Sequence, residues 1–122
     1  MNRLAKRRAA LSRRLGEPVL AFGPVRMRDG RDAAALPATA VVVVTENKLR
    51  VFSFARGLGR RVGEELAVWD RRAVRILFDR RGTVTRLTVS LPGEARHLIV
   101  DVPRQVDPGL LHVLAGGSVI AA

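Results

Sequence analysis

Between Pro18 and Val102 the chain alternates apolar and polar residues in short runs, each broken by turn residues, which is the signature of successive β-strands. The first run, Pro18–Arg28, places Val19, Ala21, Gly23, Val25 and Met27 on one face. Asp29-Gly30-Arg31-Asp32 reads as a turn, and Ala33–Pro37 as a connector of undecided form. Thr39–Thr45 holds four consecutive valines, the composition of a strand buried on both faces. Glu46-Asn47 then predicts a tight hairpin with Asn47 at positive φ, leading back through Lys48–Phe54. Arg56-Gly57-Leu58-Gly59-Arg60-Arg61 is a basic, glycine-containing loop before a strand at Val62–Trp69. Asp70-Arg71 turns the chain into Arg72–Asp79, with Val74, Ile76 and Phe78 inward. Asp79-Arg80-Arg81-Gly82 has the residues of a type I turn, and Pro92-Gly93 those of a type II turn. The strands Thr83–Leu91 and Arg96–Val102 flank Pro92-Gly93, with Leu87, Val89, Leu91, Leu98, Val100 and Val102 inward. Seven strands are predicted.

A different period marks the two ends of the chain. Arg3–Leu15 reads as a helix with Asn2 as N-cap, Gly16 at C′ and Pro18 beyond. Leu4, Leu11 and Leu15 fall within about 40° of one another on the helical wheel. Arg3, Lys6, Arg7, Arg13 and Arg14 cover the opposite arc, while Arg8 intrudes on the leucine side. At the other end Asp107 is a good N-cap with Pro108 at N1, Val106 and Leu111 form a hydrophobic staple, and Gly116 supplies C′. This closing helix, 108–115, is too short to be stable alone and is expected to plug an open end of the sheet.

The pattern therefore predicts a mainly β chain: a seven-stranded antiparallel barrel or sandwich with a short C-terminal capping helix and a basic N-terminal helix. The helix takes residues 1–16 and the β domain 17–122. The length of 122 residues suits one core. Cysteine is absent, which removes disulfides and thiolate chemistry. No apolar run approaches the roughly 20 residues of a membrane span, and the charged N-terminus does not resemble a signal peptide. A cytoplasmic location is expected, with the inner face of the membrane as a peripheral site.

Charge sharpens the picture. There are 22 basic and 11 acidic residues, a formal net charge of +11. Twenty of the 22 are arginine, a bias that GC-rich coding also produces, so distribution matters more than the total. Residues 1–16 carry six basic groups and no acidic one, hence more than half of the excess. An anionic partner is implied, and the candidate contacts are Arg3, Lys6, Arg7, Arg13 and Arg14 on the helix, Arg56, Arg60 and Arg61 in the loop, and Arg80 and Arg81 at a hairpin. Consecutive turns of a meander alternate ends, so the Arg56–Arg61 loop and Arg80/Arg81 fall at the same end, with Arg71/Arg72 at the other.

Catalysis finds little support. His97 and His112 are the only histidines; His97 alternates with inward Leu98 and faces solvent, while His112 sits between apolar neighbours and reads as a partly buried, satisfied imidazole. Neither has a metal-ligand spacing. No GxSxG elbow surrounds a serine, Glu64 and Glu65 are adjacent and so face opposite ways on a strand, and Gly57-Leu58-Gly59 is only a fragment of a phosphate loop. No enzyme activity, cofactor or metal is expected. Low aromatic content (4%) argues against base-stacking readers of single strands.

Seven strands followed by one apolar helix resemble the pleckstrin-homology-like (PH-like) barrel over about residues 18–115. Val43-Val44-Thr45-Glu46-Asn47-Lys48-Leu49-Arg50-Val51-Phe52 and Trp69-Asp70-Arg71-Arg72-Ala73-Val74 are similar to stretches of its bacterial versions. The resembled fold hosts many protein-binding roles, and the barrel pattern together with the missing catalytic sets leads to the expectation of a non-catalytic interaction module. Phosphoinositide-binding relatives place basic residues on the first two strands; here Arg26, Arg28 and Arg31 lie near that region, but Thr39–Thr45 carries none, so specific phosphoinositide recognition is not expected. The functional expectation is a module that binds a protein partner or an anionic membrane surface through its basic loops and N-terminal helix. Nucleic-acid binding by the same surface is the alternative, and homo-oligomerisation stays open.

Overall fold

The computed structural model describes residues 3–30, 35–55, 61–103 and 108–118. Helix α1 (Arg3–Leu15) is followed by strands β1 (Val19–Asp29), β2 (Thr39–Thr45), β3 (Lys48–Ala55) and β4 (Arg61–Asp70). A 3-10 turn (Arg71–Ala73) leads to β5 (Arg75–Arg81), β6 (Val84–Ser90), β7 (Leu98–Pro103) and helix α2 (Pro108–Ser118). The strands form one antiparallel sheet in the order β4-β3-β2-β1-β7-β6-β5.

That sheet is open, which corrects the barrel form of the expected barrel or sandwich: β4 and β5 are its two edges and do not pair with each other. Although adjacent in sequence, they are separated by the 3-10 turn, and two register shifts bend β4 away from a straight ladder. The sheet still folds over on itself. Inner-face residues of one half (Val42, Leu49, Val51) share a single core with those of the other (Ile76, Leu87, Val100). The fold line runs along β1. Its ladder to β7 starts at Arg26↔Asp101, and the same register continued would set Pro24 opposite Pro103. Two residues without an N–H meet there, so the two halves of the sheet part at that point.

Both faces of β2 are buried, as the valine run predicts: Val42 and Val44 belong to the inner core, Val41 and Val43 to a second cluster under α1. α2 inserts Leu110 and Leu114 into the inner core, the plugging role read from its sequence. The proposed cap Asp107 and staple residue Val106 lie outside the described residues, as does Asn2. Gly116 is not the C′ residue, since the helix continues to Ser118; a glycine in the last turn costs a helix only about 1 kcal/mol, too little to end it.

Turn chemistry departs from expectation at two hairpins. Among the described non-glycine residues only Ala35 has positive φ, so Asn47 does not; its carbonyl instead accepts the Arg71 N–H at 2.9 Å, fixing the hairpin from outside. β5 extends to Arg81, which pairs with Val84, so the turn is Gly82-Thr83 and not Asp79–Gly82. Gly82 has φ 59°, the first central position of a II′-type hairpin that only glycine enters freely. The Pro92-Gly93 turn is as expected, with the Glu94 N–H donating to the Leu91 carbonyl.

Candidate interaction surfaces

α1 lies on the outer face of β1–β3. Leu11 is buried against Val19, Phe22, Val41, Val43 and Phe52, with Leu4 and Leu15 packed at the margin. A bulge at Leu20 builds half of this seat. Val19 pairs with Thr45 but Ala21 pairs with Val44, and the extra residue turns Val19 outward while Ala21 faces the inner core. Ser12 locks the junction: its hydroxyl donates to the Arg8 carbonyl and accepts the Val19 N–H, each at 2.9 Å. The helix ends with the Gly16 N–H donating to the Ser12 carbonyl.

The ten basic candidates separate accordingly. Arg3, Lys6, Arg7 and Arg13 are exposed on the outer side of α1 and form a ridge without an acidic residue. Arg14 is different. It donates from Nη1 to the Val62 carbonyl at 3.0 Å and from Nη2 to the Gly63 carbonyl, and its guanidinium stacks on Phe52, 5.1 Å from the ring centre. Its charge ties α1 to edge strand β4 and is not free for a partner. Arg80 and Arg81 are exposed on β5, where Arg81 pairs with Asp79 at 2.7 Å. Arg61 starts β4 opposite Ala55, while Arg56 and Arg60 lie outside the described residues, and with them the expected grouping of that loop with Arg80 and Arg81.

Three arginines act inside the structure. Arg71, read from sequence as a surface turn residue, is buried. Its Nη1 donates to the carbonyls of Thr45 and Glu46 and its Nη2 to that of Val113, so it joins the β2–β3 hairpin to α2. Burial pushes its pKa down, as expected for a cation held only by carbonyl dipoles. On β3, Arg50 bridges Glu65 at 2.7 Å and Glu17 at 3.3 Å. Burial opposes its charge, but the two carboxylates outweigh that and raise its pKa. The Thr45 hydroxyl first, and then Arg50, hold the Glu17 carboxyl below its usual range.

The third, Arg86, belongs to a row that crosses four strands on the outer face of the other half-sheet. Cross-strand register sets Arg26, Asp101, Arg86 and Asp79 side by side in alternating charge. Asp101 is buried and accepts two bonds from Arg86, at 2.8 and 3.1 Å, with Arg28 at 3.5 Å. The Arg86 hydrogen bond, above all, keeps the Asp101 carboxyl below its ordinary pKa.

Small-molecule sites are poorly represented among the described residues. The inner core contains a cavity of about 30 Å³ lined by apolar side chains such as Val51, Trp69 and Leu87, room for about a water or two. Neither His112 nor Glu65 lines it. His112 is exposed, which corrects the buried imidazole expected from its neighbours: it sits on the solvent side of α2 while Leu110 and Leu114 take the core side. His97 is exposed as expected. Among the described residues no group of three His, Cys, Asp or Glu side chains is placed to hold a metal, and no helix is long and apolar enough to cross a membrane. Comparison with known proteins gives no match, to a family model or to a curated protein.

Proposed function

We propose that this chain is a non-catalytic interaction module of PH-like type, which associates peripherally with an anionic membrane surface through the α1 ridge. The reading rests on one observation: the leucines of α1 are seated on their own sheet, and four cations face outward with no carboxylate among them. Such a helix is a rigid positive face and not an inserting one. Each cation near an anionic bilayer contributes on the order of 1 kcal/mol, so the ridge provides about 4 kcal/mol, a millimolar attachment by itself. A second contact, with a protein at the membrane, is therefore part of the proposal. The inner face of a bacterial cytoplasmic membrane is the setting that this reading and the PH-like resemblance together favour.

Co-sedimentation with phosphatidylserine/phosphatidylcholine vesicles against phosphatidylcholine alone tests it. Binding is expected only to the anionic vesicles, falling as salt screens the ridge. The combined variant Arg3→Gln, Lys6→Gln, Arg7→Gln, Arg13→Gln is expected to abolish it without lowering the melting temperature. Equal binding to both vesicles, or none, sinks the proposal. Duplex DNA that displaces the vesicles, with affinity falling steeply with salt, would favour the nucleic-acid alternative instead.

A further inference from the structure

We infer that the outer face of β5–β6–β7 and the end of β1 is a docking surface for an acidic amphipathic helix of a partner protein. It is independent of the α1 ridge, which lies on the other half of the folded sheet.

Neither helix of this chain covers the face: Leu77, on its edge strand β5, is 44% exposed, Arg75 beside it is exposed, and so are Arg26 and Arg28 at the far side on β1. Across the face, Leu77, Thr88 and Ile99 stand in register, two apolar side chains about a threonine, in a strip that ends at Asp29 and runs parallel to the charged row of Arg26, Asp101, Arg86 and Asp79. Four strands about 4.8 Å apart and the seven residues of β5 make a platform of about 14 by 20 Å. That accommodates one helix, about 10 Å wide, over some four turns.

Charge decides the occupant. Each acid on the face already has an arginine: Asp79 pairs with Arg81, Asp101 with Arg86, and Asp29 with Arg96 at 3.0 Å. Arg26 and Arg28 share Asp101 with Arg86, and Arg75 has no acid paired with it among the described residues, so the face keeps a cationic excess on both sides of the strip. A second copy of the chain, at net charge +11, is repelled. A phosphate backbone or lipid headgroup layer gains nothing from Leu77 and Ile99. A helix with leucines on one stripe and glutamates beside it satisfies both the strip and the arginines.

A synthetic glutamate/leucine amphipathic helix of about 14 residues is the probe, titrated into the 15N-labelled full chain. Amide shifts are expected on Leu77, Thr88, Ile99 and their neighbours. Arg75→Glu and Leu77→Asn are each expected to weaken binding about tenfold, a 1.4 kcal/mol loss. The α1 glutamine variant is expected to bind normally, which separates this surface from the membrane reading. Shifts confined to α1, variants that bind within about twofold of the original, or equal binding of polyglutamate without leucine would each overturn the inference.

Discussion

The guanidinium of Arg71 donates to the carbonyl oxygen of Val113 at 2.8 Å, linking the turn after β4 to the closing helix. Its other nitrogen holds the carbonyls of Thr45 and Glu46 at 3.0 and 3.1 Å. Three acceptors from two separate segments thus depend on one buried side chain. Arg71→Ala is expected to destabilise the chain by roughly 2–4 kcal/mol, because these carbonyls lose their donor where water reaches them poorly. Arg71→Lys recovers only part, since an ammonium does not reproduce the planar fork. Urea unfolding midpoints measure both. An alanine variant with an unchanged midpoint would show that the link carries no stability.

Two glycines at positive φ provide a second, paired prediction. A Cβ on Gly30 (φ 77°) would run into the His97 backbone carbonyl, whereas a Cβ on Gly82 (φ 59°) meets nothing within 4 Å. Gly82→Ala is expected to cost about 1–2 kcal/mol, the strain of the left-handed conformation alone. Gly30→Ala carries the same strain and a backbone collision besides, so a loss of about 3 kcal/mol or more is expected. Thermal melts of the two variants side by side check the ordering; equal losses would contradict the close approach.

Alternation along single strands was enough to assign the inner face, because the side-chain period of a strand is local. Val74, Ile76, Leu87, Val89, Leu98, Val100 and Val102 are all where the pattern puts them. What alternation misses is any departure from period 2. The Leu20 bulge sends Val19 to the opposite cluster from Ala21, and nothing in the local sequence marks it. Leu36, in the connector that had no legible form, is buried in the inner core. The leucine stripe of α1 was visible, but not what it packs on, since that depends on which sheet face the fold leaves bare. The same limit hides the interaction surfaces. Arg26, Asp101, Arg86 and Asp79 come from four strands, and only the pairing register sets them in one row. Barrel closure is hidden from the sequence for a related reason: whether the two edge strands of a sheet, here β4 and β5, meet is a property of accumulated twist and bulges, not of any one strand.

The seating of α1 separates stability from binding. Leu11→Ala removes the one buried side chain among the described residues of that helix and is expected to cost about 2–3 kcal/mol. Arg14→Ala loses two carbonyl contacts and the stacking on Phe52, but at an exposed site, and is expected to cost about 1 kcal/mol. Arg13→Ala, one residue away and facing solvent, is expected to change stability by less than about 0.5 kcal/mol. Differential scanning calorimetry orders the three. Arg13 and Arg14 with equal effects would mean that Arg14 does not anchor the helix to β4.

Asp101 makes the fold sensitive to acid in a defined direction. Arg86 holds its carboxyl below the ordinary range, so the folded state binds the proton more weakly than the unfolded one. The stabilisation is complete above the unfolded carboxylate value, near about pH 4, and is lost as pH falls through the lower folded value. Arg86→Ala removes the main partner and leaves Arg28 at 3.5 Å and the neighbouring Arg26 as the remaining cations. The variant is expected to be about 1–3 kcal/mol less stable at pH 7, the cost of a buried carboxylate that loses two charged hydrogen bonds. It is also expected to lose less stability than the original chain between about pH 4 and pH 2, because the folded pKa of Asp101 moves back toward its unfolded value. Chemical denaturation at a series of pH values measures both slopes. Parallel curves for the two proteins over that interval would show that the Arg86–Asp101 pair is not what couples this fold to protons.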